Sequence, residues 1–304
     1  MAKAPRRLLL NDEGSSAVHH LDLDAPERCW SFSGPGRDLQ LIGNERVLRS
    51  TPQGYVELGL ADGKLLREVS LPGLPAIESA RRLPNGHTVV LGNGEGGIYL
   101  QELDPQGKVL AGRRVTCAGA LKGRLARSTA QGTWLFCSDT EGRRVIHEAD
   151  FDSGARDLFR VPASVAADSM LKAVRVGSDR ILVSSGYAGS LLLIDTARGE
   201  VLQTIGGKAQ AEPAHLRRPL SPNFFSGFQL LSSGEILLAN WQGHGPSHAG
   251  DGYQLLMYGA NGELVWAFDQ TEYPRMTSLN NVLALDGLDT SRLHDEPAGV
   301  LTPL

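Results

Sequence analysis

Short apolar runs alternate with tight polar turns along nearly the whole chain, in an order that repeats at about forty residues. The clearest copy joins two apolar runs through Asn85-Gly86 and two more through Asp104–Gly107. Asn and Gly tolerate the positive φ that tight turns between twisted strands require. Each copy therefore predicts four antiparallel strands, which is one blade of a β-propeller.

The two ends of the chain complete the count of blades. The N-terminal segment supplies only three strands, and Ser278–Leu285 supplies the missing innermost one. Closing the ring in this way protects an exposed sheet edge. The sequence thus predicts an all-β, six-bladed propeller of four-stranded blades, a single domain over 1–304. The predicted blades span about 278–285 together with 6–33, then 38–71, 76–115, 123–161, 169–207 and 223–269.

Propeller geometry divides the connections between two faces. We label the strands of a blade A to D from the channel outward. The A–B and C–D hairpins then lie on one face, which we call the hairpin face, and the B–C and D–A connections lie on the other, which we call the loop face. The hairpins consist of turn residues, whereas polar, charged and aromatic residues concentrate in the loop-face connections. Binding or catalysis is therefore expected on the loop face.

Two long connections of the loop face belong to blade six. One runs over 207–226 before strand A, and the other over 240–252 between strands B and C. Two long neighbouring loops at a propeller mouth can shape a small-molecule pocket. The alternative is that they cover apolar surface at the last junction of the ring.

Histidines in these loops carry the candidate chemistry. Gly243 and Pro246 exclude a helix around His244 and His248, so two metal ligands on one helical face are not predicted. Convergence in a loop would still permit a divalent metal site, with Ca or Zn as the ion, or a general base, with Glu78 as a further acid or base. The alternative is that the histidines form local hydrogen bonds. The predicted ligand-binding residues are His215, Asn223, Phe225, Asn240, Trp241, Asp251, Tyr253 and Asn280.

Composition excludes several partners. The net charge of −4 and the pI near 6.1 argue against nucleic acid. The N-terminus has three consecutive apolar residues where a secretory signal needs many more, and no run of about twenty apolar residues predicts a membrane span, so a cytoplasmic location is expected.

The cysteines are expected to be structural thiols, and they are Cys29, Cys117 and Cys137. The histidines outside the long loops, namely His19, His20, His87, His147 and His294, are expected at the surface.

Three segments carry a family resemblance. Arg82–Val90, Leu103–Val109 and Ala260–Asp269 resemble the blades of arylsulfotransferase-like and quinoprotein-like (PQQ-like) propellers. The resemblance implies the repeat architecture. In the sulfotransferases a histidine near the start of an inner strand takes the sulfuryl group, and the corresponding starts here carry other residues, namely Glu78, Lys122, Lys172, Ser226 and Ser278. Of the tryptophan docking motifs of quinoproteins, only Trp266 resembles one.

Six-bladed lactonases offer a second comparison, because they hold calcium or zinc with Glu, Asn and Asp. Glu78, Asn223 and Asn280 would supply similar groups here. The expected function is binding of a small polar molecule, of a carbohydrate-like kind, or of a protein, through the loop face around blade six. The alternative is a metal-assisted hydrolase or lactonase, or a lyase, that uses the same face.

Overall fold

The computed structural model describes residues 4–74, 76–95, 97–115, 120–140 and 143–304. Six antiparallel sheets form the blades of a ring, which confirms the predicted six-bladed β-propeller. Gly86 and Gly107 adopt φ of +85° and +88° in the predicted turns. None of the described helices has the length or the apolar character needed to cross a membrane.

The strand bounds follow the predicted order of A to D in each blade. Blade one consists of Leu279–Ala284, Arg7–Asp12, Ala17–Asp22 and Trp30–Ser33. Blade two consists of Leu39–Gly43, Arg46–Thr51, Gly54–Gly59 and Leu65–Ser70, and blade three of Ile77–Arg82, Thr88–Gly94, Gly97–Leu103 and Val109–Val115. Blade four has a divided strand A and consists of Ala120–Gly123 with Arg127–Ser128, Trp134–Thr140, Arg143–Asp150 and Gly154–Arg160.

The last two blades and the minor elements complete the chain. Blade five consists of Ala173–Arg175, Arg180–Ser184, Ser190–Asp195 and Glu200–Gly206. Blade six consists of Phe224–Leu230, Ile236–Trp241, Leu255–Tyr258 and Leu264–Phe268. The short helices are Pro26–Arg28 and Pro246–His248, and a terminal hairpin pairs His294–Asp295 with Thr302–Pro303.

The apolar core lies between blades rather than at the centre of the ring. Leu182 of blade five packs with Phe228 and Leu256 of blade six, and corresponding clusters fill the other junctions. A further small cluster joins residues of blades four, five and six at the mouth of the channel. Because each blade is covered on both faces, polar residues on alternating positions of its strands are also buried.

This double coverage overturns the surface placement of three histidines, and packing of the terminal hairpin against blade two overturns that of a fourth, His294. His19, His20, His147 and His294 are each at most 4% exposed, whereas His87 is partly exposed. Both ring nitrogens of His19 have partners, Ser15 and Ser31, whereas His20 contacts the Arg28 carbonyl through Nδ1 and its Nε2 lacks a partner among the described residues. Alternation of apolar and polar residues along a strand indicates that the strand has two faces. In a propeller the neighbouring blades cover both of them, so the polar face does not meet solvent.

The ring closes between the chain termini as predicted. Leu8 pairs with Ala284 and Asn11 with Asn281, in antiparallel register. Asp12 is fully buried at the end of this pairing, where its carboxylate accepts from Thr277 N at 2.7 Å and from Ser278 N at 3.0 Å. This carboxylate therefore links strand B of blade one to the start of its own innermost strand.

Loss of stability in acid is expected from this link. Burial alone would raise the pKa of Asp12, but hydrogen bonds from His19, Thr277 and Ser15 outweigh it and lower the pKa below that of an ordinary aspartate. Such a carboxylate stabilises the fold above about pH 4, and the contribution is lost as the pH falls through the lower folded value. We expect the melting temperature of an Asp12→Asn variant to lie below the wild-type value at pH 7 and to fall less between about pH 5 and pH 3. Parallel melting profiles for the two proteins would contradict this role of Asp12.

The chain after Ala284 closes the hairpin face of the channel. Backbone bridges join Leu293 to Ile42 of blade two and Val300 to Leu230 of blade six. Between these bridges the tail directs two fully enclosed carboxylates, Asp295 and Glu296, into the ring, where they are 2% and 3% exposed. The tail thereby contacts blades that are remote from it in sequence.

The carboxylates of the tail neutralise buried cations of the inner strands. Glu296 lies 2.7 Å from Lys172 Nζ and accepts from Arg127 Nε, and Asp295 forms an ion pair with Arg81. Asp38 completes the network by accepting two hydrogen bonds from Arg127, at 2.9 and 3.0 Å. Three carboxylates and three cations therefore meet here, and each cation has an anionic partner.

Candidate functional site

The two long loops of blade six pack against each other. Asn240 holds them together: its Nδ2 donates to the carbonyls of Tyr253 at 2.8 Å and Ser221 at 3.2 Å. Its Oδ1 accepts from the N–H of Asn223 at 3.0 Å, and the hydroxyl of Tyr253 accepts from Arg217 N at 2.9 Å. In the structure Asn240 and Tyr253 support the loops from within, and Asn223 is fixed through its backbone.

Several predicted site residues lie away from the channel mouth. His248 contacts Asp251 at 2.8 Å on the exposed surface of its loop. His215 is exposed and borders an outer cavity of about 500 Å³. Phe225 is fully buried in the core between blades five and six. The structure does not bring these side chains together, and Phe224 faces the mouth in place of Phe225.

A cavity of about 170 Å³ opens at the channel mouth on the loop face, and we call it the mouth pocket. Blades four, five and six contribute to it, together with loops of blades one and two. Its walls are defined by aromatic and cationic side chains, namely Tyr187, Phe224, Trp241, Arg37, Lys122 and Arg124. Of the predicted residues, Trp241, His244 and Asn280 line it.

The aromatic wall is a set of rings in edge-to-face contact. The centroids of Phe224 and Trp241 are 5.6 Å apart, and those of Tyr187 and Phe224 are 4.8 Å apart, with interplanar angles of 73° and 83°. Trp241 and Phe224 also pack with Leu125 and Leu171 in the small cluster at the mouth. This packing fixes the two rings, while Tyr187 is 40% exposed. Trp241 therefore serves both as an inter-blade contact and as pocket wall.

Glu13 of blade one orients two residues of blade six. Its Oε2 accepts from Trp241 Nε1 at 2.8 Å, and its Oε1 lies 2.8 Å from His244 Nδ1. Because a carboxylate accepts hydrogen bonds, His244 donates through Nδ1, and its Nε2 is left as an acceptor in the neutral ring. A histidine held in this tautomer can accept a proton from a bound molecule.

Cationic groups also line the mouth pocket, namely Arg37, Lys122 and Arg124. Arg37 Nε lies 3.0 Å from Glu78 Oε2. Glu78 borders a second cavity of about 290 Å³ that shares Glu13 and Arg37 with the mouth pocket. Glu78 therefore acts as the ion-pair partner of a pocket arginine.

A row of hydrogen bonds in blade four resembles a catalytic triad in composition. Ser138 Oγ lies 2.5 Å from His147 Nε2, and His147 Nδ1 lies 3.1 Å from Asp157 Oδ1. Ser138 is fully buried and His147 is 1% exposed, so no substrate reaches the hydroxyl. Burial lowers the pKa of His147, despite the opposing influence of Asp157. The row links neighbouring strands of the blade.

Metal ligation, the cysteines and the cavity between blades four and five have less structural support as functional features. Among the residues that the structure describes, no three His, Cys, Asp or Glu side chains converge as metal ligands do. Cys29 is partly buried and Cys137 lies in the core between blades four and five, whereas Cys117 lies outside the described residues. A larger cavity of about 750 Å³ between blades four and five has no aromatic wall, and its Arg175 is already paired with Glu148.

Comparisons with known proteins bear on the fold. No family model and no curated protein matches the chain. A protein of unknown function from Bacteroides caccae is similar in structure, with a TM-score of 0.70 and 18% identity over 92% of this chain and 98% of that one. A chain of a nidogen/laminin complex has a TM-score of 0.61 and 11% identity, covering 91% of this chain and 97% of that one.

Lyases also occur among the similar structures. A catalytically inactive variant of virginiamycin B lyase from Staphylococcus aureus, crystallised with quinupristin, has a TM-score of 0.55 and 12% identity over 84% of this chain and 78% of that one. Proteins this distant share a fold and need not share a function. The likenesses therefore agree with the propeller fold, whose six blades are seen in the sheets of this chain, and they carry no function.

Proposed function

We propose that the protein binds a small organic anion in the mouth pocket. The observation that carries this proposal is that a fixed aromatic wall, Phe224 and Trp241, lines the same cavity as the cationic side chains Arg37, Lys122 and Arg124. Aromatic walls accept flat rings and the apolar faces of sugars, and cationic groups bind carboxylates or phosphates. The ligand therefore combines a ring with a negative charge.

The size of the pocket limits the ligand. A cavity of about 170 Å³ suits a single ring with one substituent, and the 290 Å³ cavity beyond Arg37 offers room for an extension. Benzoate and glucuronate satisfy these requirements, and benzyl alcohol and glucose are their uncharged counterparts. This proposal refines the expected carbohydrate-like ligand by requiring an anionic group.

Calorimetric titration with these four compounds tests the proposal. We expect at least one anion to bind more tightly than its uncharged counterpart. Replacement of Lys122 by Ala should weaken that binding about tenfold, the equivalent of one exposed charge-assisted contact, and Trp241→Leu should weaken it further. Lys64→Ala, which removes an exposed ammonium of the hairpin face, is the matched control and should leave affinity unchanged. Absence of binding by both anions, or equal affinities in all variants, would overturn the proposal.

A second candidate function, lyase or hydrolase activity on the bound molecule, is supported by the 2.8 Å contact between Glu13 and His244. The known lyases of this fold give it a structural precedent. His244 would act as the general base through Nε2, with Glu13 as its positioning residue. Metal assistance is not required by this arrangement.

Product analysis distinguishes the two functions. Mass spectrometry of a mixture of the protein with its tightest-binding compound would reveal turnover. In an enzyme, His244→Ala should reduce the rate at least about a hundredfold. His248→Ala is the matched control, because His248 is also held by a carboxylate in the same loop but lies outside the pocket. Unchanged ligand after long incubation would leave binding as the function.

A further inference from the structure

Arg49 differs from the other buried cations of the molecule. In the described part of the chain Arg81, Arg127, Lys172 and Arg175 each form an ion pair with a carboxylate. Arg49 is completely buried on strand B of blade two, and its side-chain partner is the neutral Asn11, whose Oδ1 accepts from Nε at 2.7 Å. Both outer nitrogens, Nη1 and Nη2, lack a hydrogen-bond partner among the described residues.

The charge on Arg49 persists despite burial. Desolvation lowers the pKa of the guanidinium to about 10, so the group is still protonated at neutral pH. A buried cation without a counter-charge is costly, and buried donors without acceptors add to that cost. Native proteins rarely leave such groups unsatisfied. The position therefore calls for an acceptor that carries negative charge.

Asn280 supplies a second unsatisfied donor, and Asn11 connects it to Arg49. Because Asn11 uses its Oδ1 for Arg49, its Nδ2 is the donor to Asn280 Oδ1, at 2.5 Å. This relay fixes the orientation of the Asn280 amide and leaves its buried Nδ2 without a partner. Asn280 thus presents a donor where a calcium or zinc ligand would present an oxygen.

The position of these groups connects them with the loop face. Asn280 lines the mouth pocket. Gly36, which borders the neighbouring 290 Å³ cavity, lies directly against the guanidinium, since a Cβ at Gly36 would be 2.5 Å from Arg49 Nε. Asn11 also donates to the carbonyl of Gly36, at 2.5 Å. Asn280 is therefore part of the wall of the mouth pocket, and Arg49 lies behind Gly36 at the edge of the neighbouring cavity.

We propose that Arg49 and Asn280 form a buried anion site at the wall of the mouth pocket, occupied by a carboxylate, sulfate, phosphate or halide group. The anion accepts hydrogen bonds from Nη1 and Nη2 of Arg49 and from Nδ2 of Asn280. Either a free inorganic anion or the anionic end of an organic ligand supplies this chemistry. This inference rests on the unsatisfied donors of Arg49 and Asn280 and does not depend on the proposed function of the mouth pocket.

Thermal melting at graded concentrations of chloride, sulfate, phosphate and benzoate tests the site. Sulfate and phosphate stabilise most proteins by exclusion from the surface. The anion-induced change in the melting temperature of the wild type is therefore compared with that of its variants. We expect the melting temperature of the wild type to rise saturably with anion concentration. At saturation this rise should exceed that of Arg49→Met by about 3 °C. At the lowest anion concentration, Arg49→Met should melt above the wild type because it removes the uncompensated charge.

Two further variants make the test decisive. Asn280→Asp places a carboxylate at the site, so it should melt above the wild type at low anion concentration and lose the anion response. Arg81→Met removes a buried arginine that is already paired, and it should melt lower at every concentration while retaining the response. If Arg49→Met does not fold, the melting temperature of Asn280→Asp and its response to anions test the proposal instead.

The outcomes separate the two sources of the anion from failure of the proposal. A saturable response to chloride, sulfate or phosphate that survives Trp241→Leu supports a free inorganic anion. A response confined to benzoate and lost with Trp241→Leu supports a ligand carboxylate that reaches the site. A wild-type response no larger than that of Arg49→Met and of Asn280→Asp would overturn the proposal, whatever the titrations of the mouth pocket show.

Discussion

Replacing Glu296 with Ala is expected to lower the free energy of unfolding by about 3–5 kcal/mol. Glu296 is buried and contacts both Lys172 and Arg127 in the centre of the ring. Its removal leaves Lys172 without an anionic partner among the described residues and Arg127 with Asp38 alone. Burial already lowers the pKa of Lys172 to about 8, which shows how strongly the site opposes an uncompensated charge.

Denaturant-induced unfolding measures this effect. Glu296→Gln keeps the shape of the side chain and should be destabilised less than Glu296→Ala. Glu200→Ala removes an exposed carboxylate from the outer strand of blade five and should leave stability nearly unchanged. Equal unfolding midpoints for wild type and Glu296→Ala would show that the Glu296 carboxylate of the tail does not stabilise the ring.

Replacing Asp12 with Ala should destabilise the ring by at least about 3 kcal/mol, the second large effect. The carboxylate satisfies the N–H groups of Ser15, Thr277 and Ser278 and the hydroxyl of Thr277, all near the seam between the chain termini. Without it these donors are left unsatisfied where the innermost strand begins. An open seam would expose the edge of blade one.

Hydrogen exchange and melting together test this prediction. In Asp12→Ala the amides of Leu279–Ala284 should lose protection before those of blades three to five, and the melting temperature should fall. Asp24→Ala is the matched control, since Asp24 pairs with Arg6 at the surface of the same blade. Uniform loss of protection over all blades, or an unchanged melting temperature, would contradict the assignment of Asp12 to the seam.

Most of the architecture could be predicted because its signals are local. The turn residues around Asn85 and Gly107 mark the hairpins of blade three, and the three-stranded N-terminal segment requires a strand from the other end. The loop face follows from strand direction alone. The tail could not be predicted in this way, because the partners of Asp295 and Glu296 become visible only when the ring brings Arg81, Arg127 and Lys172 together.

The site could be predicted only in part, for a related reason. Trp241, His244 and Asn280 were identifiable from their place on the loop face, but Glu13, which contacts Trp241 and His244, comes from blade one at the other end of the chain. A register shift between Phe225 and Phe228 interrupts regular pairing in strand A of blade six. Alternation therefore does not reveal which of Phe224 and Phe225 faces the mouth. The sequence signal for Arg49 is equally weak, since its distinction is the absence of a carboxylate partner within the described structure.

A crystal structure of the protein with the tightest-binding anion of the titration panel would locate the ligand. We expect it in the mouth pocket, with its ring against Trp241 and Phe224 and an anionic oxygen about 3 Å from Lys122 or Arg124. A ligand bound in the outer cavity beside His215, or in the groove between blades four and five, would show that the mouth pocket is not the binding site.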